Sequence, residues 1–355
     1  QIASTPPTPP QPVSAPMQAA AAPSLALVAA ATEPTTNGWR VGSLVVDKAC
    51  VLGRGSLGTI VYRGRHDDGR NVAVKVMNSS VVPERRARRE MRLLQKLGEA
   101  AGAAKDNIVQ YKCVELAGDK VLLGMELCEC SLYDLVTTRQ EQIPHVHQLR
   151  IVSELCAAVT FAHAGGVLHR DIRPHNILLK QGGHEGTVKL ADFGLSQEMP
   201  TRMGPDASVS VSAAQGGTEI ASFGFYAKEI YLRKNPTQKS DVFSVGCCIF
   251  YILSHGGRPH EGEGEDRDNK HVISNNILNG EADLGRIRHD LGAVDLVQRM
   301  VDIEKEVRPT MAQVCEHLLL WSSERRYQYL CAVGKEKDVM GVSPIIPMKD
   351  TDEEL

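Results

Sequence analysis

A chain of 355 residues is long enough to bury one large core or two modest ones. Its formal net charge of −3, from 40 basic and 43 acidic side chains, argues against a nucleic-acid or anionic-membrane partner. Nine cysteines, odd in number, scattered and without a zinc-like Cys/His set, argue against a disulfide framework and read as reduced thiols in a cytosolic setting. Aromatic residues make up only 5%, so the core must rest on Leu, Val, Ile and Ala. No run reaches the roughly 18 apolar residues that span a bilayer; the nearest, 17–31, is broken by Pro23. The chain opens on Gln1 rather than Met and reads as a fragment, so a missing signal or anchor carries little weight.

Residues 1–38 are rich in Pro, Ala, Thr and Ser and carry one charge, Glu33. Such a segment cannot bury enough apolar surface to offset its ordering entropy and predicts a flexible, partly polyproline linker. Strand-like runs begin at Leu44-Val45-Val46, followed by Leu52-Gly53-Arg54-Gly55-Ser56-Leu57-Gly58-Thr59-Ile60-Val61-Tyr62. Its three glycines let a hairpin backbone pass close over phosphates with amides facing them. A dinucleotide-binding loop shares the G-x-G-x-x-G spacing, but it wants a helix next and an acidic residue about 20 positions on. Here a β-rich run follows instead. Val72-Ala73-Val74-Lys75 then supplies an alternating strand with one inward lysine; a solvated strand lysine is the weaker reading after a glycine-rich hairpin. Residues 84–97 predict a helix with Ala87, Met91, Leu94 and Leu97 on one face and Glu90 beside it. Its basic run reads as a solvated face. Two further strands are expected at 107–111 and 121–125, and helical periodicity takes over at 149–163.

Residues 169–194 carry the chemistry. His169-Arg170-Asp171-Ile172-Arg173-Pro174-His175-Asn176 is followed, after a glycine-rich turn at 182–186, by Val188-Lys189-Leu190-Ala191-Asp192-Phe193-Gly194. Phosphoryl transfer needs in-line positioning and neutralised charge rather than covalent help. Asp171 offers a carboxylate that can accept a hydroxyl proton, and Asn176 and Asp192 offer oxygen ligands for magnesium. Asp and Asn are common in turns, but two motifs in order, each beside an apolar strand-like run, outweigh that reading. Residues 195–216 are serine-rich, with Ser196, Thr201, Ser208, Ser210 and Ser212, and read as a mobile surface loop closed by 217–229. Residues 240–253, apolar nearly all round after a capping Ser240, predict a buried helix. Residues 260–271 read as an exposed insertion, and helical patterns resume at 275–278, 293–301 and 311–319.

Taken together, residues 46–320 resemble a eukaryotic Ser/Thr protein kinase domain. The resemblance implies an α+β, bilobal protein kinase-like fold, with a β-rich N-lobe over 46–125 and a helical C-lobe over 129–320. It implies Asp171 as catalytic base, Lys75 paired with Glu90, and Arg173 beside the transferred phosphate. ATP is then expected against Leu52, Gly53, Arg54, Gly55, Ser56, Leu57, Gly58, Thr59, Ile60, Ala73, Lys75, Met125, Glu126, Cys128 and Leu178, with Mg²⁺ on Asn176 and Asp192. Met125 takes the gatekeeper place and Glu126-Leu127-Cys128 the hinge. Residues 195–216 match an activation loop, where autophosphorylation is expected, and Asp241 would brace the catalytic loop. Arg308 is the expected buried partner of Glu229. A protein is the expected substrate.

Three features depart from that family. Arg173 stands where Ser/Thr kinases usually place Lys, keeping the charge with a bidentate head. Lys228 replaces the Pro of Ala-Pro-Glu, in a segment about four residues longer than the pattern. The span from Lys75 to Glu90 is also short. The motif around Asp171 lacks the Ala-Ala-Arg character of tyrosine kinases, which favours Ser/Thr.

Finer features resemble the inositol-requiring unfolded-protein-response sensors, with ribonuclease L as a relative. They include 52–64, Glu126-Leu127-Cys128, Asn235-Pro236-Thr237, 253–259 and the tail from Trp321. In those proteins the kinase C-lobe runs into a helical ribonuclease domain whose opening resembles 321–333. Only 22 residues follow Val333, ending in Asp352-Glu353-Glu354, so 321–355 reads as a truncated start with an acidic tail and RNA cleavage is not expected. The resemblance also implies nucleotide-promoted, back-to-back self-association, so a non-catalytic, nucleotide-gated interaction module is the alternative to an active kinase. The segment is expected to be cytosolic, on the cytosolic face of the endoplasmic reticulum membrane if an anchor precedes Gln1. Neither nucleic acid nor membrane contact is expected of it.

Overall fold

In a computed structural model of the chain the described residues are 38–55, 58–99, 102–140, 142–198 and 223–339. The expected linker up to residue 37, Ser56 and Leu57 of the glycine-rich loop, most of the serine-rich segment and the tail beyond 339 lie outside them.

The N-lobe is one antiparallel sheet of β1 (Gly38–Val41), β2 (Leu44–Arg54), β3 (Ile60–His66), β4 (Asn71–Asn78), β5 (Tyr111–Ala117) and β6 (Lys120–Glu126). Its order is β1-β2-β3-β4-β6-β5. The period-2 alternation of strands divides β4 between two clusters. Val72, Val74 and Val76 pack with Leu44, Val46 and Leu122, whereas Met77 packs with Val82, Ala87, Val121 and Leu123. The second cluster includes helix α1 (Glu84–Glu99), which buries Ala87, Glu90, Leu93, Leu94 and Leu97. Lys75 shares the parity of Met77, and so its side chain leaves the sheet on the helix side.

Several expectations are corrected here. The sheet starts at Gly38, before the expected first strand and inside the expected linker boundary. Residues 107–110 are not strand: a 3₁₀ turn spans Ala103–Asn107, and Val109 N donates to Leu190 O at 2.9 Å. Val109 is thus bonded to the C-lobe, Gln110 O accepts from Glu126 N at 2.9 Å, and the ladder with β6 runs from Tyr111. Met91 is only half-buried on α1, because Glu90 and Leu93 complete the inward stripe.

The C-lobe core is built around α2 (His145–Ala164). The lobe's short strands are β7 (Cys130–Ser131), β8 (Val167–Leu168), β9 (Ile177–Lys180), β10 (Thr187–Leu190) and β11 (Gln197–Glu198), of which β8 and β10 pack on α2. The order β10-β9-β7 forms one small sheet and β11-β8 another. Helices α3 (Lys228–Tyr231), α4 (Gln238–Leu253), α5 (Lys270–Asn279), α6 (Leu291–Met300), α7 (Met311–Cys315) and α8 (Ser323–Val339) complete the described chain. Helix α4 is buried along most of its length, as its apolar circumference requires. Its N-cap is Thr237 rather than Ser240; Ser240 sits at the third position, and its hydroxyl oxygen accepts from Thr237 N at 3.1 Å. The 260–271 segment is exposed along much of its length but begins with a buried His260, stacked on Phe243 at 5.5 Å. No disulfide joins any of the nine cysteines. Among the described residues no helix is long and apolar enough to cross a membrane.

Candidate active site

Three elements meet where the lobes face one another. Strand β4 delivers Lys75, α1 delivers Glu90, and the loops flanking β9 and β10 deliver Asp171, Asn176 and Asp192. Lys75 Nζ donates to Asp192 Oδ1 at 2.6 Å. Glu90 is brought to the same cluster: a Cβ built on Gly194 would meet Asp192 Oδ1, Glu90 Oε2 and Lys75 Nζ within 4 Å. The direct hydrogen bond of Lys75 therefore goes to Asp192, while Glu90 Oε1 accepts from the hydroxyl of Tyr111 at 2.6 Å. Burial pushes the Glu90 carboxyl up despite Lys75. Burial also disfavours charge on Lys75, but Asp192 and Glu90 outweigh it and raise its pKa.

Asp192 occupies the left-handed region at φ +61°. Phe193 behind it is buried edge-on against His169 at 4.6 Å, and the His169 ring reaches Ala191 O at 3.0 Å. Burial pushes the Asp192 carboxyl up, but Lys75, helped by the Gly194 amide and His169, more than reverses this and holds it at about 2. A carboxyl held below its ordinary value adds stability above the ordinary carboxylate range, and loses it as pH falls toward about 2. In Lys75→Met most of that reversal is gone, so the variant's melting temperature is expected to fall less steeply than that of the wild type as pH drops below about 4. An identical acid limb in both proteins would refute the ion pair.

The catalytic loop is held from below. Asp241, 2% exposed, accepts from His163 Nε2 at 2.9 Å, from His169 N at 2.9 Å and from Arg170 N at 2.8 Å. Arg170 itself lies at φ +72°, a conformation that a non-glycine residue keeps only when its surroundings impose it. Asp241→Asn turns an amide donor toward one of those donors. It is expected to destabilise the fold by about 2 kcal/mol and to slow phosphotransfer, read by thermal melting beside initial rates. A variant with unchanged melting temperature and rate would rule out this bracing role.

Asp171 is 7% exposed, and its Oδ2 accepts from Asn176 Nδ2 at 2.8 Å. Asn176 Nδ2 also donates to Asp171 O at 2.7 Å, which fixes the amide and leaves its oxygen as the group able to ligate a cation. Arg173 Nε stands 3.4 Å from Asp171 Oδ2. On the far side of Asp171, the hydroxyl of Tyr226 donates to Oδ1 at 2.7 Å.

The glycine-rich hairpin is closed by Gly55 N donating to Thr59 O at 2.9 Å, with Gly58 at φ +72° where only glycine is unstrained. A Cβ on Gly53 would meet nothing within 4 Å. Leu52, Gly53 and Arg54 lie on β2, Ile60 begins β3, and Ala73 on β4 pairs in register with Met125 on β6. Leu178 lies half-buried on β9. Glu126 closes β6, but its carboxylate is committed elsewhere: Lys180 Nζ donates at 2.6 Å, Lys189 Nζ stands at 3.0 Å and Gln110 N donates at 2.9 Å. Only its backbone carbonyl is left for a nucleotide base, because Glu126 N is itself bonded to Gln110 O. Burial and the neighbouring Glu126 push the Cys128 thiol up to about 12, so it is a neutral thiol at physiological pH. Sequence reasoning missed Tyr111 and Tyr226. No spacing rule links either to its carboxylate, 21 and 55 residues away.

A cationic strand lysine on a carboxylate, a fixed Asn/Asp oxygen pair and a glycine hairpin are chemically suited to a nucleoside triphosphate with its divalent metal. On a two-lobed α+β scaffold this is the class of nucleotide-dependent phosphotransferases. Residues 46–320 match the family described as the protein kinase domain, and the chain belongs to that family. It is 30% identical over 311 residues to the serine/threonine-protein kinase/endoribonuclease IRE1 of Oryza sativa subsp. japonica, covering 83% of this chain and 32% of that protein. Against the serine/threonine-protein kinase/endoribonuclease ire-1 of Caenorhabditis elegans it is 32% identical over 331 residues, covering 89% and 32%. Against IRE2 of Homo sapiens, described in the same words, it is 30% identical over 298 residues, covering 81% and 30%. The chain thus spans about a third of the length of these relatives.

Proposed function

We propose that the chain is an ATP-dependent Ser/Thr protein kinase that transfers the γ-phosphate to protein hydroxyls, its own serine-rich segment included, in a stress-signalling role like that of the unfolded-protein-response sensors. The observation that supports this most directly is the Lys75–Asp192 ion pair at 2.6 Å, in one cluster with the buried Glu90. In this reading Lys75 fixes the phosphates, Asn176 and Asp192 hold Mg²⁺, and Asp171 orients and accepts the proton of the acceptor hydroxyl. Mg²⁺, when bound, neutralises charge on the transferring group. Arg173 places a guanidinium beside the same carboxylate, suited to phosphate oxygens. Ser/Thr preference is supported by the names of the relatives and by the absence of a tyrosine-kinase motif around Asp171. The expected setting is cytosolic, on the cytosolic face of the endoplasmic reticulum membrane if an anchor precedes Gln1, and self-association is expected on nucleotide binding.

The test is phosphate transfer from Mg²⁺-ATP by the purified chain, mapped by mass spectrometry. Phosphate on serines and threonines between 196 and 218, absent from an Asp171→Asn control, is the expected result. Tight nucleotide binding without transfer would refute catalysis. It would favour the second reading, a nucleotide-gated interaction module, which draws on Lys228, Arg173 and the engagement of Asp171 by Tyr226.

A further inference from the structure

Both oxygens of the proposed catalytic base are already engaged by the chain itself. Asp171 Oδ2 is taken by Asn176 and faced by Arg173, at 2.8 and 3.4 Å. Oδ1 receives the Tyr226 hydroxyl at 2.7 Å, the length of a charge-assisted O–H···O bond. A general base must stand about 2.6–3.2 Å from the proton it takes. Tyr226 therefore satisfies toward Asp171 the distance that an acceptor hydroxyl must satisfy, and both cannot donate to Oδ1 from one place.

The residues around Tyr226 hold it there. Phe225 is 2% exposed, and its carbonyl accepts from Ser244 Oγ at 2.7 Å. Ala227 is fully buried, and Glu229 is tied to Arg308 and Ser240. The backbone on both sides of Tyr226 is thus bound to the C-lobe core, while its half-buried side chain keeps two rotatable bonds. Burial and the Asp171 charge raise the phenol pKa, so at neutral pH the ring presents a proton to Asp171 and is not a phenolate. Arg173, the residue that replaces the usual lysine, lies near enough to act on this phenol electrostatically as well as on Asp171.

We propose that Tyr226 is an intramolecular pseudosubstrate: its hydroxyl fills the acceptor position on Asp171, and a protein hydroxyl reaches the base only by displacing it. The proposal rests on the kinase reading for its consequence in turnover, but not for the occupancy itself. A site that is competent only when Tyr226 is displaced binds its acceptor more weakly, in proportion to the competent fraction. The Tyr226 hydroxyl is bonded to Asp171, whereas Lys75 is bonded to Asp192, so ATP affinity is expected not to depend on Tyr226.

The experiment uses the full chain, its Tyr226→Phe variant and, as a second variant, Tyr226→Leu. Affinity for a degenerate Ser/Thr acceptor-peptide pool is read by fluorescence anisotropy with Mg²⁺ and a non-hydrolysable ATP analogue. Transfer to the same pool is read as kcat/KM. Removing a hydrogen bond to a charged group is expected to raise both about tenfold or more, with the KM for ATP unchanged. Higher acceptor affinity without transfer in any form would sustain the pseudosubstrate and overturn the kinase reading. Unchanged or weaker acceptor affinity in variants that melt like the wild type would overturn the pseudosubstrate, whatever the transfer rate.

Discussion

Replacing Asp171 by asparagine is expected to cut phosphate transfer by about 10²–10⁴-fold while leaving nucleotide affinity and melting temperature close to those of the wild type. The rate loss follows from the chemistry of the group. A carboxamide is a poor proton acceptor, and the hydroxyl oxygen of the acceptor must shed its proton as the phosphoryl group arrives. The small structural effect follows from the hydrogen bonds. With its oxygen toward Asn176 Nδ2 and its NH₂ toward Tyr226, the new side chain still satisfies both neighbours, because a phenol oxygen accepts as readily as it donates. Nucleotide contacts are expected to persist because Lys75 and Asp192 bond to each other rather than to Asp171. Initial rates with labelled ATP, beside equilibrium nucleotide binding, check the split. A variant that keeps more than about a tenth of the wild-type rate would remove Asp171 from the role of base.

What could be read from the sequence was what local spacing encodes. The Asp171–Asn176 interval fits one loop, and there Asn176 does bond to both the backbone and the carboxylate of Asp171. The parity of Val72-Ala73-Val74-Lys75 put Lys75 on one face of a strand, and that face carries α1. The buried pair of Glu229 and Arg308 was also anticipated, but through family resemblance, since 79 residues separate them. What escaped was decided by packing across the chain. Glu90 was placed beside the helix stripe yet is part of it, because Lys75 and Tyr111 provide polar partners inside. Glu126 was expected at the hinge through its backbone alone, and no spacing showed that two lysines of β9 and β10 would claim its carboxylate. Residues 107–110 looked like a strand because Ile108 and Val109 are β-branched; their apolar character is used to seat the segment on Leu190 instead. Tyr226 left no trace in any pattern: one hydroxyl meeting one carboxylate has no period.

The largest expected effect on stability belongs to Arg308, which is 1% exposed. Its fork is filled. Nη1 donates to Glu229 Oε1 at 2.9 Å and to Lys239 O at 3.0 Å, Nη2 to Glu229 Oε2 at 3.2 Å and to Ile303 O at 3.5 Å, and Nε to Asp302 O at 2.7 Å. The guanidinium also lies 5.0 Å from the centre of the Phe243 ring. Arg308→Met fills similar volume but strands a buried carboxylate and three carbonyls, and breaking a buried pair in this way costs about 3–5 kcal/mol. For a domain of this size that is a fall of roughly 10 °C in melting temperature. Arg308→Lys keeps the charge without the planar fork and is expected to fall between the two. Burial pushes the Glu229 carboxyl up, but Arg308 and Ser240 hold it below its ordinary value. Its contribution is therefore present above the ordinary carboxylate range and lost as pH falls below it. The Met variant should lose that acid dependence, and adding Glu229→Gln should recover part of the loss, since an unpaired amide is cheaper to bury than an unpaired charge. A double variant no more stable than Arg308→Met alone would mean that the stranded carbonyls, rather than the carboxylate, set the cost, and that Arg308 acts mainly as a staple between 302–303 and the start of α4.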